Sequence, residues 1–278
     1  MSEHQVGPAR GWVVSGAAMR LVAVLALSCL AAPALALTGR EVIDQAQRKN
    51  GFSTWHDRAM GATMESYDHD TLARTRDITI VEQTDPRGEH RTFIRFVGPA
   101  DVKDTRFLHL SPRGDKDQQW LWTPTTRRTR RLGDAQRDEN FFGSDLSYRD
   151  LELLVRIQQW TDAEATATLV GEETVDGAPA HVVELVPKND EFQYAKYRLW
   201  FGRDDLLLKR VDIYADADTV LKRVTPKKYQ PIGPYQTAMA ADVANLDADT
   251  HTAFTFRDVV YDQGVSDGTF AVANLDHG

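Results

Sequence analysis

The chain has 278 residues, a formal net charge of -8 and a hydrophobic fraction of 42%, enough apolar material for one large domain. Its acidic balance excludes a general nucleic-acid binder, which carries a basic footprint. The single cysteine, Cys29, lies in an N-terminal apolar run, so a chain cut after that run can form no disulfide.

The stretch "MRLVAVLALSCLAAPALALTGREV" combines Arg20, an apolar run from Leu21 to Ala32, and Ala34 and Ala36 flanking Leu35. That is the pattern of a secretory leader cut after Ala36. Pro33 breaks the run, which is shorter than the about 20 apolar residues of a membrane span. Residues 1–18 form an extension ahead of it, and Met19 makes the neater start. A rival reading takes "ALSC" as a lipoprotein box with Cys29 lipidated, although Ala26 stands where a leucine is usual. The expected organisation is an extension and cleaved leader over 1–36, then one periplasmic domain over 37–278.

After the cut, Thr38 with Glu41 three residues on forms a capping box, and Leu37 and Val42 sit at staple positions. A short amphipathic helix is predicted, ending near Asn50 before Gly51. Period-two runs follow at 73–83, 89–98, 104–111 and 118–123, joined by turn-forming segments such as "TDPRG" and "SPRGDKD". They predict an antiparallel meander.

Next comes "TTRRTRRLGDAQR", which places Arg127, Arg128, Arg130 and Arg131 in one strand, so alternation sends one pair towards the concave side. These arginines are read either as a solvated edge strand that resists aggregation or as a rim that meets acidic lipid headgroups or a partner protein. In "RDENFFGSDLSYRDLELL", Ser147 followed by Asp150 and the spacing Leu151, Leu154, Val155 marks a helix start, with Leu146 and Leu151 as its staple. Phe141 and Phe142 need an apolar receiver. The stretch from Gly133 to Ser147 is expected to act as a gate.

Beyond that helix, strands are predicted at 165–175, 178–187, 195–202, 206–215, 219–230 and 251–262, with tight hairpins at Asp176–Gly177 and Asp204–Asp205. With the segment before Asp68 counted as a strand, the total is about ten or eleven strands and two or three helices. A meander of that size must curl and have its apolar face covered. The fold class is mainly β (α+β), a curled antiparallel sheet forming an incomplete β-barrel with helical cover.

Ser144 lies in "FGSDL" rather than a G-x-S-x-G elbow, eight scattered histidines lack metal-ligand spacing, and no glycine-rich phosphate cradle follows a strand. No catalytic residue, metal or cofactor is therefore expected. Trp120 and Trp122 share one face of their strand, as core or as the lining for an apolar ligand. The expected ligand-binding set is Trp120, Trp122, Phe141, Phe142, Leu146 and Tyr148, and the expected headgroup- or partner-binding set is Arg127, Arg128, Arg130 and Arg131.

The region "GPADVKDTRFLHLSPRGDKDQQWLWTPTTRRTRRLGDAQRDENFFGSDLSYRDL" resembles the outer-membrane lipoprotein-sorting protein family related to the carrier LolA. The matching order is P-x-x-x-K-x-T-x-F-L, then QWLW-x-P, an arginine-rich strand, and F-x-G-S-D-L-S-Y-x-D-L. The ending "FRDVVYDQGVSDGTF" is similar to that family's last strand and tail. The resemblance implies a LolA-like incomplete barrel plugged by helices around an apolar cavity for acyl chains. The motif is that of a branch whose members accompany exporters of the RND superfamily, which implies such an exporter as partner.

Two function classes follow. The first is a monomeric periplasmic carrier that takes a lipid or acylated lipoprotein from the inner membrane or an exporter towards the outer membrane. The second is a non-enzymatic adaptor or sensor that docks an RND-type transporter through its arginine strand. A third, a lipid- or polymer-modifying enzyme, lacks a credible constellation.

Overall fold

The computed structural model describes residues 37–51, 54–85, 88–112, 116–156, 160–188 and 193–276, with Met1 and Gly7 besides. Contacts divide the chain into Met1–Ala36 and Leu37–Gly278, and the fold is that of the second unit. The expected leader, Cys29 included, lies outside the described residues. Among the described residues no helix is long and apolar enough to cross a membrane.

Helix α1 (Gly39–Asn50) begins at the predicted capping box. The Glu41 amide donates to the Thr38 hydroxyl at 3.2 Å, and the Thr38 amide donates to the Glu41 carboxylate at 2.8 Å. Such a cap stabilises by about 1 kcal/mol. Gly51 ends the helix at φ 66°, where a side chain would be strained.

The strands are β1 (Asp57–Asp68), β2 (Thr71–Thr84), β3 (His90–Gly98), β4 (Arg106–Ser111), β5 (Gln118–Thr123), β6 (Arg128–Arg131), β7 (Ala165–Val175), β8 (Ala178–Pro187), β9 (Lys196–Gly202), β10 (Leu208–Tyr214), β11 (Val220–Ile232), β12 (Tyr235–Asn245) and β13 (Thr250–Tyr261). They form one sheet in the order β6-β5-β4-β3-β2-β1-β13-β12-β11-β10-β9-β8-β7. Two meanders are thus joined by the antiparallel pair of β1 and β13. β6 and β7 are free edges, so the barrel is incomplete.

That order dictates where the cover lies. The described residues 132–156 and 160–164 lie between the two edge strands in the chain, and they pack on a face of the sheet. They carry α2 (Asp134–Arg137), a 3-10 turn over Phe141–Gly143, and α3 (Tyr148–Arg156). The face they cross is apolar because pairing register stacks like with like. Met60, Ile80, Ile94, Phe107 and Leu121 are successive cross-strand partners from β1 to β5. On the other meander, Leu169, Val183, Leu199, Val211, Val224 and Val243 continue the face from β7 to β12.

Two buried clusters fill this inner face. Val42, Ile43 and Ala46 of α1 pack with Val183, Leu185, Tyr197 and Leu199. Phe141, Tyr148 and half-buried Phe142 pack with Ile78, Phe96 and Phe107. The outer face of β2 to β5 is covered separately by the C-terminal tail, where Phe270 and Leu275 meet Leu108.

Three details differ from the reading of the sequence. Strand β12 was not predicted, because its four alanines, Ala238, Ala240, Ala241 and Ala244, carry no β preference. Asp204 and Asp205 fall in a five-residue loop between β9 and β10 rather than a two-residue hairpin. Arg127 sits in the turn before β6 at φ 53°, with its amide bonded to the Thr123 carbonyl at 2.9 Å.

Candidate functional site

A cavity of about 210 Å³ lies between the inner face of the sheet and the crossing segment. Its apolar wall comes from Met60, Ile80, Ile94, Phe107, Phe254 and Phe256, and its far side from Val224, Ala241 and Val243. Leu146 and Leu151 close it from above. The staple pair that starts α3 is therefore also the roof of the cavity.

Local chemistry fixes that roof. The Asp150 amide donates to the Ser147 hydroxyl at 3.0 Å, and the Ser147 amide donates to the Asp150 carboxylate at 2.6 Å, as the predicted helix start requires. Asp150 is fully buried and also accepts from Tyr194 Oη at 2.6 Å and Lys222 Nζ at 2.5 Å. These bonds tie the start of α3 to β11 and to the approach to β9. Lone burial of such a carboxylate would be prohibitive, and its three donors are what permit it.

The segment before α3 is held just as closely. The Phe141 amide donates to the Leu146 carbonyl at 2.7 Å. Asp145 accepts from the hydroxyls of Thr250 and Thr252 on β13. Gly143 is at φ 80°, and a Cβ there would collide with the Arg74 guanidinium, which itself donates to the Gly143 carbonyl at 3.5 Å. Ser144 Oγ donates to the Leu146 carbonyl at 3.2 Å and accepts from the Leu146 amide at 3.3 Å, a turn-building role.

One end of the cavity is polar. Along one cross-strand row stand Arg58, Glu82, Thr92 and His109, each the register partner of the next, and all four line the cavity. Arg58 donates through Nε at 2.7 Å to Glu82, and its guanidinium lies over the Trp55 ring at 4.8 Å. Burial alone would raise the Glu82 carboxyl, but Arg58 and then His90 outweigh it and hold it at about 2. Burial pushes the His90 ring down from its ordinary value, and its two nitrogens meet Thr84 Oγ1 at 3.0 Å and Thr92 Oγ1 at 3.2 Å. His109 Nε2 lies 3.2 Å from Asp117, which also accepts from Ser111 Oγ at 2.9 Å. Among the described residues no group of three His, Cys, Asp or Glu side chains is placed to hold a metal ion.

Of the residues singled out as ligand-binding, Leu146 lines the cavity. Phe141, Phe142 and Tyr148 form an aromatic cluster beside it, with Phe142 4.2 Å from Phe96 and Phe141 5.5 Å from Phe107 between ring centroids. Phe107 belongs to both cluster and cavity wall. Burial raises the Tyr148 hydroxyl to about 12. Trp120 and Trp122 point the other way. The inner face of β5 belongs to Gln119 and Leu121, and the two indoles pack under the tail with Phe270 and Leu275, Trp122 beneath the Arg106 guanidinium at 4.5 Å.

The four arginines at the sheet edge are exposed. Arg130 is the partner of Leu121 and Arg128 of Thr123, which places that pair on the inner face, whereas Arg131 pairs with Trp120 on the outer one. The polar row was missed in the sequence, although its signal is present. His90 and Thr92 alternate in register with Ile94 and Phe96, and His109 with Phe107, so polar groups lie on an otherwise apolar face.

A family model with the description "Uncharacterized protein" matches residues 88–277. No curated protein matches the chain. Among solved structures, a DUF1329 family protein from Desulfovibrio piger superposes with a TM-score of 0.76 at 27% identity, covering 85% of this chain and 98% of that one. A domain named for outer membrane lipoprotein sorting, from Vibrio parahaemolyticus, gives 0.74 at 21% identity over 85% and 97%. A LolA superfamily protein from Nitrosomonas europaea gives 0.65 at 12% identity over 85% and 98%. The chain belongs to the family that the matching model describes, and its fold is the LolA-like fold of these solved structures.

Proposed function

We propose that the chain is a periplasmic carrier that binds a lipid or lipidated protein in the inner-face cavity. In this reading residues 1–36 are removed on export, residues 37–278 act as one monomeric binding domain, and an RND-type exporter or the inner membrane supplies the cargo for delivery towards the outer membrane. The observation that carries the proposal is the apolar cavity roofed by Leu146 and Leu151 on a crossing segment rather than by sheet.

An acyl chain gains about 0.8 kcal/mol per buried methylene, so eight methylenes supply about 6 kcal/mol. The cavity, at about 210 Å³, is smaller than the roughly 300–1,000 Å³ of sites that hold drug-sized ligands. A whole lipid therefore requires the roof to lift, and Phe141 to Ser147 are the part that moves. The exposed Arg127, Arg128, Arg130 and Arg131 at the free edge suit acidic headgroups or an acidic face of the exporter.

Native mass spectrometry of the chain exported with its own leader and purified without detergent tests the proposal. A stoichiometric lipid adduct is the expected result. A clean apo mass after incubation with lipids removes the carrier reading and leaves the adaptor, in which the arginine edge alone does the docking.

A further inference from the structure

The arginine edge offers main chain as well as charge, and this inference deepens its docking role without resting on what fills the cavity. Arg58, Arg76, Arg95, Arg210, Arg223 and Arg257 on other strands are each paired with a carboxylate. Arg127, Arg128, Arg130 and Arg131 are exposed and, among the described residues, paired with none, in a chain of net charge -8. β6 is also an end of the sheet, paired with β5 alone among the described strands. The Leu132 amide donates to the Gln119 carbonyl at 2.8 Å, and in the same register Leu121 faces Arg130 and Thr123 faces Arg128. Antiparallel alternation therefore turns the N–H and C=O of Arg128 and Arg130 towards β5, and those of Thr129 and Arg131 outwards. Among the described residues no main-chain group meets them there.

We propose that β6 accepts an acidic extended segment of a partner protein as a further strand. The segment's main chain takes up the outward groups of Thr129 and Arg131, and its carboxylates meet the arginines. Side-chain direction favours a strand over a lipid surface. Arg128 and Arg130 stand on the inner face and Arg131 on the outer one, so a surface approached by either face meets one set only. The side chains of an added strand alternate as those of β6 do, and reach both. The same charge repels basic strands, which keeps the edge selective. The other free edge, β7, is a poor source of the acidic strand from a second copy. Its Glu173 accepts from Trp200 Nε1 at 2.9 Å, and its Glu172 lies 3.7 Å from Arg203.

Three probes separate the cases: a capped octapeptide with four central glutamates flanked by valines, the same peptide N-methylated at each glutamate, and phosphatidylglycerol vesicles, each titrated with the full chain at pH 7. N-methylation keeps the charge and removes the main-chain donors. The unmodified peptide is expected to bind about tenfold more tightly than the methylated one. Thr129→Pro keeps the four arginines and the ladder to β5 but removes one outward N–H, a substitution that edge strands admit. It is expected to weaken the unmodified peptide about fivefold and to leave lipid adducts in native mass spectra unchanged. Equal binding of the two peptides by the native chain means that charge alone docks there, and overturns strand addition. Binding of vesicles without the peptide, or of neither, overturns it as well. None of these results touches the carrier reading, since the cavity takes no part in them. The peptide pair measured on the native chain decides the matter even where Thr129→Pro does not fold.

Discussion

The inner face of the sheet is covered in two ways. Over β7 to β10 the cover is α1, whose Val42, Ile43 and Ala46 recur at helical spacing and seal directly onto Val183, Leu185 and Leu199. Over β1 to β5 and β13 the cover is a loop and the first turn of α3, and a cavity remains beneath Leu146 and Leu151. A helix satisfies its own backbone and can present a continuous apolar stripe. The loop must satisfy its backbone through Ser144, Asp145 and Arg74, so its apolar contacts concentrate at Phe141 and Phe142. An empty apolar cavity destabilises by roughly 20–25 cal/mol per Å³. One half of the face is thus built for stability and the other tolerates a void that an occupant can fill.

The largest way to break this contrast is at Asp150, the buried group that fixes the roof to the sheet. Asp150→Ala leaves the Lys222 ammonium, 6% exposed, without its carboxylate and frees Tyr194 Oη. Removing one partner of a buried pair costs about 3–5 kcal/mol, and urea unfolding should show a loss of that size. A loss below about 1 kcal/mol would mean that Leu146 and Leu151 hold the roof by packing alone.

Acid should separate the halves next. The folded-state Glu82 carboxyl is held at about 2 against an ordinary value of 4.5. A carboxyl depressed on folding contributes stability that is present above its unfolded value and lost as the pH falls towards the folded one. The difference corresponds to about 3 kcal/mol, lost between roughly pH 4.5 and 2. His90 is also depressed, so it adds a loss of the same sign that begins below about pH 6.5. Unfolding free energies measured at intervals from pH 7 to 3 should fall, and Glu82→Gln should flatten the portion below pH 4.5. An unchanged slope in the variant would place the acid-labile group elsewhere.

How much of this was legible depends on whether a feature is local. The Thr38 and Ser147 caps, their staples and the tight hairpin at Asp176–Gly177 are set by residues within four positions of one another, and the structure holds each of them. Alternation gave the strands, except β12, whose alanines pack without a β signature. It also implied that one pair of the arginines shares a face, which the register shows to be Arg128 and Arg130, but it could not say which face of β5 is inner. That depends on Phe141 to Tyr148 packing on one side while the tail from Val265 to Leu275 covers the other, and so Trp120 and Trp122 were turned outward by distant chain. The polar row needs the register of four strands at once, which no single window contains.

The smallest effect gives the sharpest comparison, since it asks the same question of each half. Ala46 of α1 is 1% exposed against the sheet, and Ala46→Leu adds three carbons where there is no room, an overpacking that costs about 1–3 kcal/mol. Ala241 on β12 faces the cavity, and Ala241→Leu adds the same atoms into open apolar space. Thermal unfolding should place Ala241→Leu within about 0.5 kcal/mol of the native chain or above it, since cavity filling is a recurrent route to stabilisation. The same variant should lose lipid adducts in native mass spectra, because the added side chain occupies the volume of the ligand. Equal destabilisation by the two leucines would mean that the cavity half is as tightly packed as the half under α1, and the distinction between a sealed and a receptive face would collapse.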